Sequence, residues 1–211
     1  MNDSQIPAGQ EQNTRGRILN AAMVEFARNG SSGARVEKIA KAAGVNIRMI
    51  YYFFGSKKAL LNEVLSQHLQ TREAQVPPRY EDVRDLLLGY FDSYAADPAR
   101  VRLLLWEALE VQLPEDAAEL TNTAGRQRVV KRRVALIADL QKRGLIPAGL
   151  DPKMLYLAFV ALSIYPMTFP PAVFVTTGAD AASPAFHRKY RKFLATLVET
   201  WLVRGGEEGK A

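Results

Sequence analysis

Residues 36–54 read VEKIAKAAGVNIRMIYYFF. Val36, Ile39, Ala40 and Ala43 recur at three- and four-residue spacing, which puts them on one face of a short helix. Gly44 stops that helix, and another runs from about Asn46 to Phe54. Two short helices around Gly44-Val45-Asn46 form the helix-turn-helix pattern, in which a glycine turn lets the helices cross at a wide angle. Ala40 and Ala43 are small enough for close approach, and Val45 and Ile50 fill the wedge. Asn46, Ile47, Arg48, Met49 and Tyr52 then face outward. Arginine, amide and phenol groups on one face suit base edges in a major groove and the flanking phosphates.

The flanking segments extend this head. Ile18, Leu19, Ala22, Met23 and Phe26 give an apolar helical face behind Thr14, which reads as an N-cap. Asn29-Gly30 ends that helix, and a loop, SSGA, follows. Gly55 breaks the third helix, and Ser56 caps a linking helix over 57–73 with Leu60, Leu61, Val64, Leu65 and Leu69 inward. Residues 1–13 are polar and aperiodic and are expected to form a disordered tail. The head is therefore assigned to 14–56 and a second domain to 74–205, with 206–211 frayed.

In the second domain, Val83, Leu86, Leu87, Tyr90, Phe91 and Tyr94 define a helix over 81–95. Asp97-Pro98 opens another, which carries Trp106. A long helix is expected over about 115–143, one from Asp151-Pro152 to about Tyr165, and a last one from Pro184 to about Arg204. Pro166 to Ser183 reads as irregular because of its prolines. No stretch alternates with period two, so the fold class is all-α with about nine helices. In the long helix, Arg126, Arg128 and Lys131-Arg132-Arg133 read as a solvated basic face.

Composition narrows the function. The chain has 211 residues, no Cys and only two histidines, His68 and His187. This excludes disulfides, Cys-ligated zinc and a thiol nucleophile; no metal or cofactor is expected. No nucleophile–base pair or phosphate loop is visible, so an enzyme is not expected. The longest apolar run, Met154 to Phe174, is interrupted by Pro166, Pro170 and Pro171, and MNDSQIPAGQEQ lacks the features of a signal peptide. A soluble, cytoplasmic protein with no membrane partner is the expectation. Of the net charge of +6, residues 1–60 carry +5. A basic head on a near-neutral body suggests a polyanion partner for the head, and charge alone does not separate DNA from RNA or an anionic membrane. A non-specific nucleic-acid- or membrane-binding helical protein is therefore the alternative to a sequence-specific regulator.

Three segments, TRGRILNAAMVEFARNG (14–30), VEKIAKAAGV (36–45) and IYYFFGSKKALL (50–61), resemble the TetR-type transcriptional regulators. RGLIPAGLDP (143–152) is also similar to the family's loop ahead of the penultimate helix. The resemblance implies a homodimer with two DNA-binding heads on a palindromic operator. It implies a larger helical domain that takes a small-molecule effector and pairs through its last two long helices. Matching positions give Ile47, Arg48, Met49, Tyr51, Tyr52 and Lys57 as DNA contacts, joined at the same surface by Arg35, Lys38 and Asn46. Arg35 stands where the family usually has a capping Thr, Arg48 replaces a small residue, and Ile47 replaces a polar one. These departures bear on the operator sequence and not on the binding mode. The dimer face is expected at Leu155, Phe159, Leu162, Phe193, Leu197 and Trp201, residues that would serve equally well as internal core. Tyr90, Tyr94, Trp106, Tyr156, Phe159, Tyr165 and Phe169 offer an apolar and aromatic lining with a few polar handles, which fits a largely apolar or aromatic effector. The segment IYPMTFPPAVFV (164–175) reads either as a wall or lid of the pocket or as part of the dimer contact. The expected function is a ligand-released repressor, with an activator as the alternative.

Overall fold

The computed structural model describes residues 8–74, 76–110 and 123–200. Among the described residues there are ten helices and no strand. In chain order they are α1 (Ala8–Gly33), α2 (Val36–Ala43), α3 (Ile47–Phe54), α4 (Lys57–Ala74), α5 (Val83–Ala95), α6 (Pro98–Glu110), α7 (Thr123–Lys142), α8 (Pro152–Thr168), α9 (Pro170–Thr177) and α10 (Pro184–Val198). The chain forms two compact units, and it passes between them near the end of α4, inside α6 and at the start of α7. Residues 8–72, 102–110 and 123 belong to the first, and 73–74, 76–101 and 124–200 to the second.

In the first unit α1 packs on α2, and α2 on α3. Ile18, Phe26, Ile39, Ile50 and Leu60 are fully buried between them. Each such side chain contributes roughly 1.5–3 kcal/mol relative to exposure. Helix α1 begins at Ala8, so 8–13 are helical rather than a tail, and Thr14 lies inside the helix instead of capping it. Glu11 sits in the first turn, where a carboxylate is favoured by the helix dipole. Residues 1–7 of the expected tail lie outside the described residues.

The break at Gly30 is where the sequence placed it. Gly30 adopts φ 70°, ψ −179°, and one further turn follows to Gly33. The kink strands carbonyls of the preceding turn. Ala27 O accepts from Arg102 Nε at 3.0 Å and from Trp106 Nε1 at 3.3 Å. The Trp106 ring lies flush against Gly30, where an added Cβ would come within 2.9 Å of it. Trp106, expected to line an effector pocket, is instead a packing residue of the first unit.

In the second unit α5 packs against α8 and α10. Leu86, Leu87, Tyr90, Phe91, Ile137, Leu140, Ile146, Phe159 and Leu194 form its main core. Local caps fix the helix starts: Asp82 Oδ1 accepts from Asp85 N at 2.7 Å, Asp151 Oδ1 from Lys153 N at 2.6 Å, and Ser183 Oγ from Phe186 N at 3.2 Å. The segment after Tyr165 is not irregular. Pro166 is accommodated in the last turn of α8, and Pro170 and Pro171 occupy the first turn of α9, where the missing N–H has no helical acceptor to lose. α8 and α9 meet at 83°. No single helix among the described residues is long and apolar enough to cross a membrane.

The basic face expected on α7 also needs correction. Lys131 and Arg132 are exposed, but Arg133 is only 4% exposed and faces inward with Val129, Leu136, Ile137 and Leu140. Its spacing, four after Val129 and three before Leu136, already places it on the apolar stripe.

The kink yields a prediction. Gly30→Ala forces a left-handed alanine against an aromatic ring and is expected to lose about 2 kcal/mol or more. Urea unfolding read by far-UV circular dichroism measures this. A loss smaller than that of a surface alanine control would contradict the packing described.

Candidate nucleic-acid interface

The turn between α2 and α3 is set by backbone hydrogen bonds. Gly44 adopts φ 64°, ψ 41°, its N–H donates to Lys41 O at 3.2 Å, and Val45 N donates to Ala40 O at 3.0 Å. This pair of bonds is a Schellman termination, and its left-handed residue explains the glycine. Asn46 then caps α3 by accepting from Arg48 N through Oδ1 at 2.9 Å. Asn46 was expected to contact DNA; its carboxamide oxygen is engaged at the helix start.

α3 anchors itself through Ile50 and Phe54, both buried. The opposite face is open: Arg48 is exposed, Ile47 is 37%, Tyr51 49% and Tyr52 70% exposed, and Met49 is half-buried. Two adjacent phenols on a surface helix beside an exposed isoleucine call for a partner surface. The edge of Phe53 supports Tyr52, with ring centroids 5.1 Å apart.

The flanking cations divide by role. Arg35 and Lys38 are exposed at the start of α2. Arg35 makes no side-chain cap, and its backbone N–H is taken instead by Glu25 Oε1 from α1 at 3.1 Å. Lys57 Nζ donates to Ala34 O at 3.1 Å and Ser32 O at 3.4 Å, tying the start of α4 to the α1–α2 corner. Ser56 Oγ caps that helix by accepting from Ala59 N at 3.0 Å. Arg15 pairs with Glu63 at 2.7 Å and lies over the Phe54 ring. A groove between α1 and α2 brings Arg17, Arg28 and Lys38 together around exposed Val24. Sequence reading missed Arg17 and Arg28; their signal is a spacing of eleven residues, three helical turns, on the exposed face of α1.

The other expected sites lie in the second unit, Trp106 excepted. Tyr90, Tyr94 and Phe159 are buried and Tyr156 half-buried. Tyr156 meets Tyr90 edge-on at 6.1 Å, and the Arg100 guanidinium stands over Tyr94 at 5.1 Å. Tyr165 and Phe169 pair with each other at 5.2 Å but remain about half exposed, so they do not line an interior. The expected dimer residues also divide. Leu155 and Phe159 are core, Leu162 and Leu197 are half-buried, and Phe193 is 50% exposed. Trp201 lies outside the described residues. The exposed stripe of α8 is one face over, at Met154, Leu157, Ala158, Ala161 and Tyr165. A helix that is apolar all round gives no sequence signal for which stripe faces in.

A capped helix-turn-helix with an exposed, cation-flanked second helix defines a DNA-binding regulator. Residues 18–64 match the tetR family of bacterial regulatory proteins, and residues 82–199 match the tetracyclin repressor-like C-terminal domain. The HTH-type transcriptional repressor SCO4008 of Streptomyces coelicolor is 32% identical over 195 residues, covering 92% of this chain and 100% of that protein. The HTH-type transcriptional regulator RutR of Escherichia coli is 31% identical over 175 residues, 80% of this chain and 81% of that one. The solved structure of SCO4942 from Streptomyces coelicolor superimposes with a TM-score of 0.69 at 29% identity, over 90% of this chain and 98% of that one. The chain belongs to the TetR family of transcriptional regulators. Its relatives and its fold are those of regulators, not enzymes.

The α3 cap yields a prediction. Asn46→Ala is expected to lower stability by about 1 kcal/mol, and Asn46→Asp to restore most of it. Urea midpoints measured without DNA separate this structural role from any contact to an operator. An alanine variant as stable as the parent would refute the cap.

Proposed function

We propose that this regulator is a repressor that binds a palindromic operator as a homodimer and is released by a small effector. The observation that carries the reading is the exposed face of α3, with Arg48 at its first turn and Tyr51 and Tyr52 on its open side. Arg48 is assigned to a guanine edge or neighbouring phosphate, Ile47 and Met49 to thymine methyls or sugars, and Tyr51 and Tyr52 to phosphates. Arg35 and Lys38 extend the phosphate track. Lys57 spends two protons on carbonyls and keeps its third for a phosphate at the start of α4, where helix N–H groups already favour an anion.

The homodimer is assigned to the exposed α8 stripe, Met154, Leu157, Ala158, Ala161 and Tyr165, with Phe193 of α10. Large apolar residues in a row along one helix, with alanines between them, suit close helix–helix packing. A two-fold pair of heads would read half-sites one turn apart, about 34–36 Å. An effector held in the second unit would release DNA by favouring a different head separation, provided it binds that state more tightly.

Operators selected from random duplexes test the first part. A palindrome should emerge, and Arg48→Ala should weaken its binding by about 1–3 kcal/mol. Lys57→Ala should lower the logarithmic salt slope by about one per protomer. Selection without a consensus would favour the non-specific alternative. For the dimer, Leu157→Glu should convert a dimer to a monomer in light scattering, and an unchanged mass would displace the interface from α8.

A further inference from the structure

The second unit buries two arginines, and they are treated differently. Arg100 Nη2 donates to both the backbone and the hydroxyl oxygen of Ser93, and its guanidinium lies on Tyr94. Arg133 has no such arrangement. It is 4% exposed; the Nε of both arginines lacks a hydrogen-bond partner, but Arg133 also makes no hydrogen bond through its terminal nitrogens and no carboxylate pairs with it among the described residues. The face of Tyr90 lies 4.7 Å from its guanidinium carbon. A cation–π contact offsets only part of the several kcal/mol that desolvating an arginine costs.

The surroundings are polar in a particular way. The Tyr90 hydroxyl is buried without a hydrogen-bond partner. Burial pushes its phenol well above the ordinary range, and Arg133 draws it partly back without meeting hydrogen-bond geometry. Tyr80 is likewise raised by burial and lowered by Arg133 and Arg132, so its hydroxyl stays protonated and able to donate. The Tyr80 ring lies over Gly89, the residue before Tyr90, where a Cβ would come within 3.6 Å of it. Tyr156 closes edge-on against Tyr90. On the same face of α8, two turns on, Ser163 is fully buried and its hydroxyl is also unpartnered. One buried cation, phenol donors and aromatic walls thus converge from four places, residue 80 ahead of α5, α5 itself, α7 and α8, with no acid among them.

We infer that the effector is an organic acid, whose carboxylate is held by Arg133 with Tyr90 and whose apolar or aromatic body lies among Tyr80, Tyr90 and Tyr156. The inference rests on the ligand-responsive reading above and adds a charge requirement to it. A guanidinium presents a planar fork that a carboxylate matches with two parallel bonds, and such a pair is strongest away from water. A neutral or cationic effector would leave Arg133 buried and uncompensated. The sequence alone pointed only to an apolar or aromatic body, because Arg133 was read as solvated.

Thermal unfolding of the full chain tests this with benzoate, phenylacetate, cinnamate and octanoate, each against its primary amide. At least one acid is expected to raise Tm by about 5 °C when well above its Kd, while its amide does not. Arg133→Met should weaken that acid about thirtyfold or more, with Arg133→Lys intermediate. Without ligand, Arg133→Met should melt at or above the parent temperature, because it removes an unpaired buried charge. Acids and amides acting alike, none of the acids acting, or the methionine variant melting several degrees lower would each overturn the assignment. Operator binding measured in parallel keeps the two readings apart. A parent chain that selects no operator fails as a regulator, whereas operator binding with no acid response fails only this proposal.

Discussion

Everything the head does depends on one left-handed residue. Gly44 turns the chain out of α2, and the two hydrogen bonds that close the turn leave Asn46 positioned to start α3. An eight-residue helix is too short to persist alone in water. It persists here because its first turn is capped by a side chain and its inner face is locked by Ile50 and Phe54. The outer face is thereby presented preformed, so binding need not spend free energy on ordering it. The cations around it are likewise held by the scaffold. Lys57 is tethered by carbonyls and Arg35 by its backbone to Glu25.

The second unit follows a different logic. Its main core is almost wholly apolar, yet it contains an arginine that pairs with no acid among the described residues. Buried charge without a partner is destabilising, and proteins keep such groups where function uses them. Arg100, a few residues beyond α5, shows how the same fold engages a guanidinium that is only structural: its Nη2 is bonded to Ser93, although its Nε, too, has no hydrogen-bond partner. The contrast between the two is more informative than either alone.

Much of the head was legible because its determinants are local. Gly44, Gly55 and Ser56 act within a turn of themselves, and the 3.6-residue period of Val36, Ile39, Ala40 and Ala43 needs no tertiary knowledge. Misreadings arose where the outcome depends on distant partners. Thr14 has the chemistry of a cap, but the residues before it continue the helix. Trp106 looks like a pocket aromatic until Gly30 is seen to leave room for its ring. The prolines after Tyr165 were read as breakers, although two of them start α9, the position at which proline is harmless. On α8, apolar residues lie all round, so Leu155 and Leu157 are indistinguishable until α5 claims one side. Arg133 was the costliest misreading, since its neighbours in sequence are solvated while its neighbours on the helix face are core.

The indole of Trp106 has a further consequence. The chain contains two tryptophans, and the other, Trp201, is near the C-terminal end. With Trp201 replaced by Phe, intrinsic emission would arise from a single chromophore seated on the α1 kink and hydrogen-bonded to Ala27. Spectral shifts in that variant would report, without added labels, on the state of one defined joint.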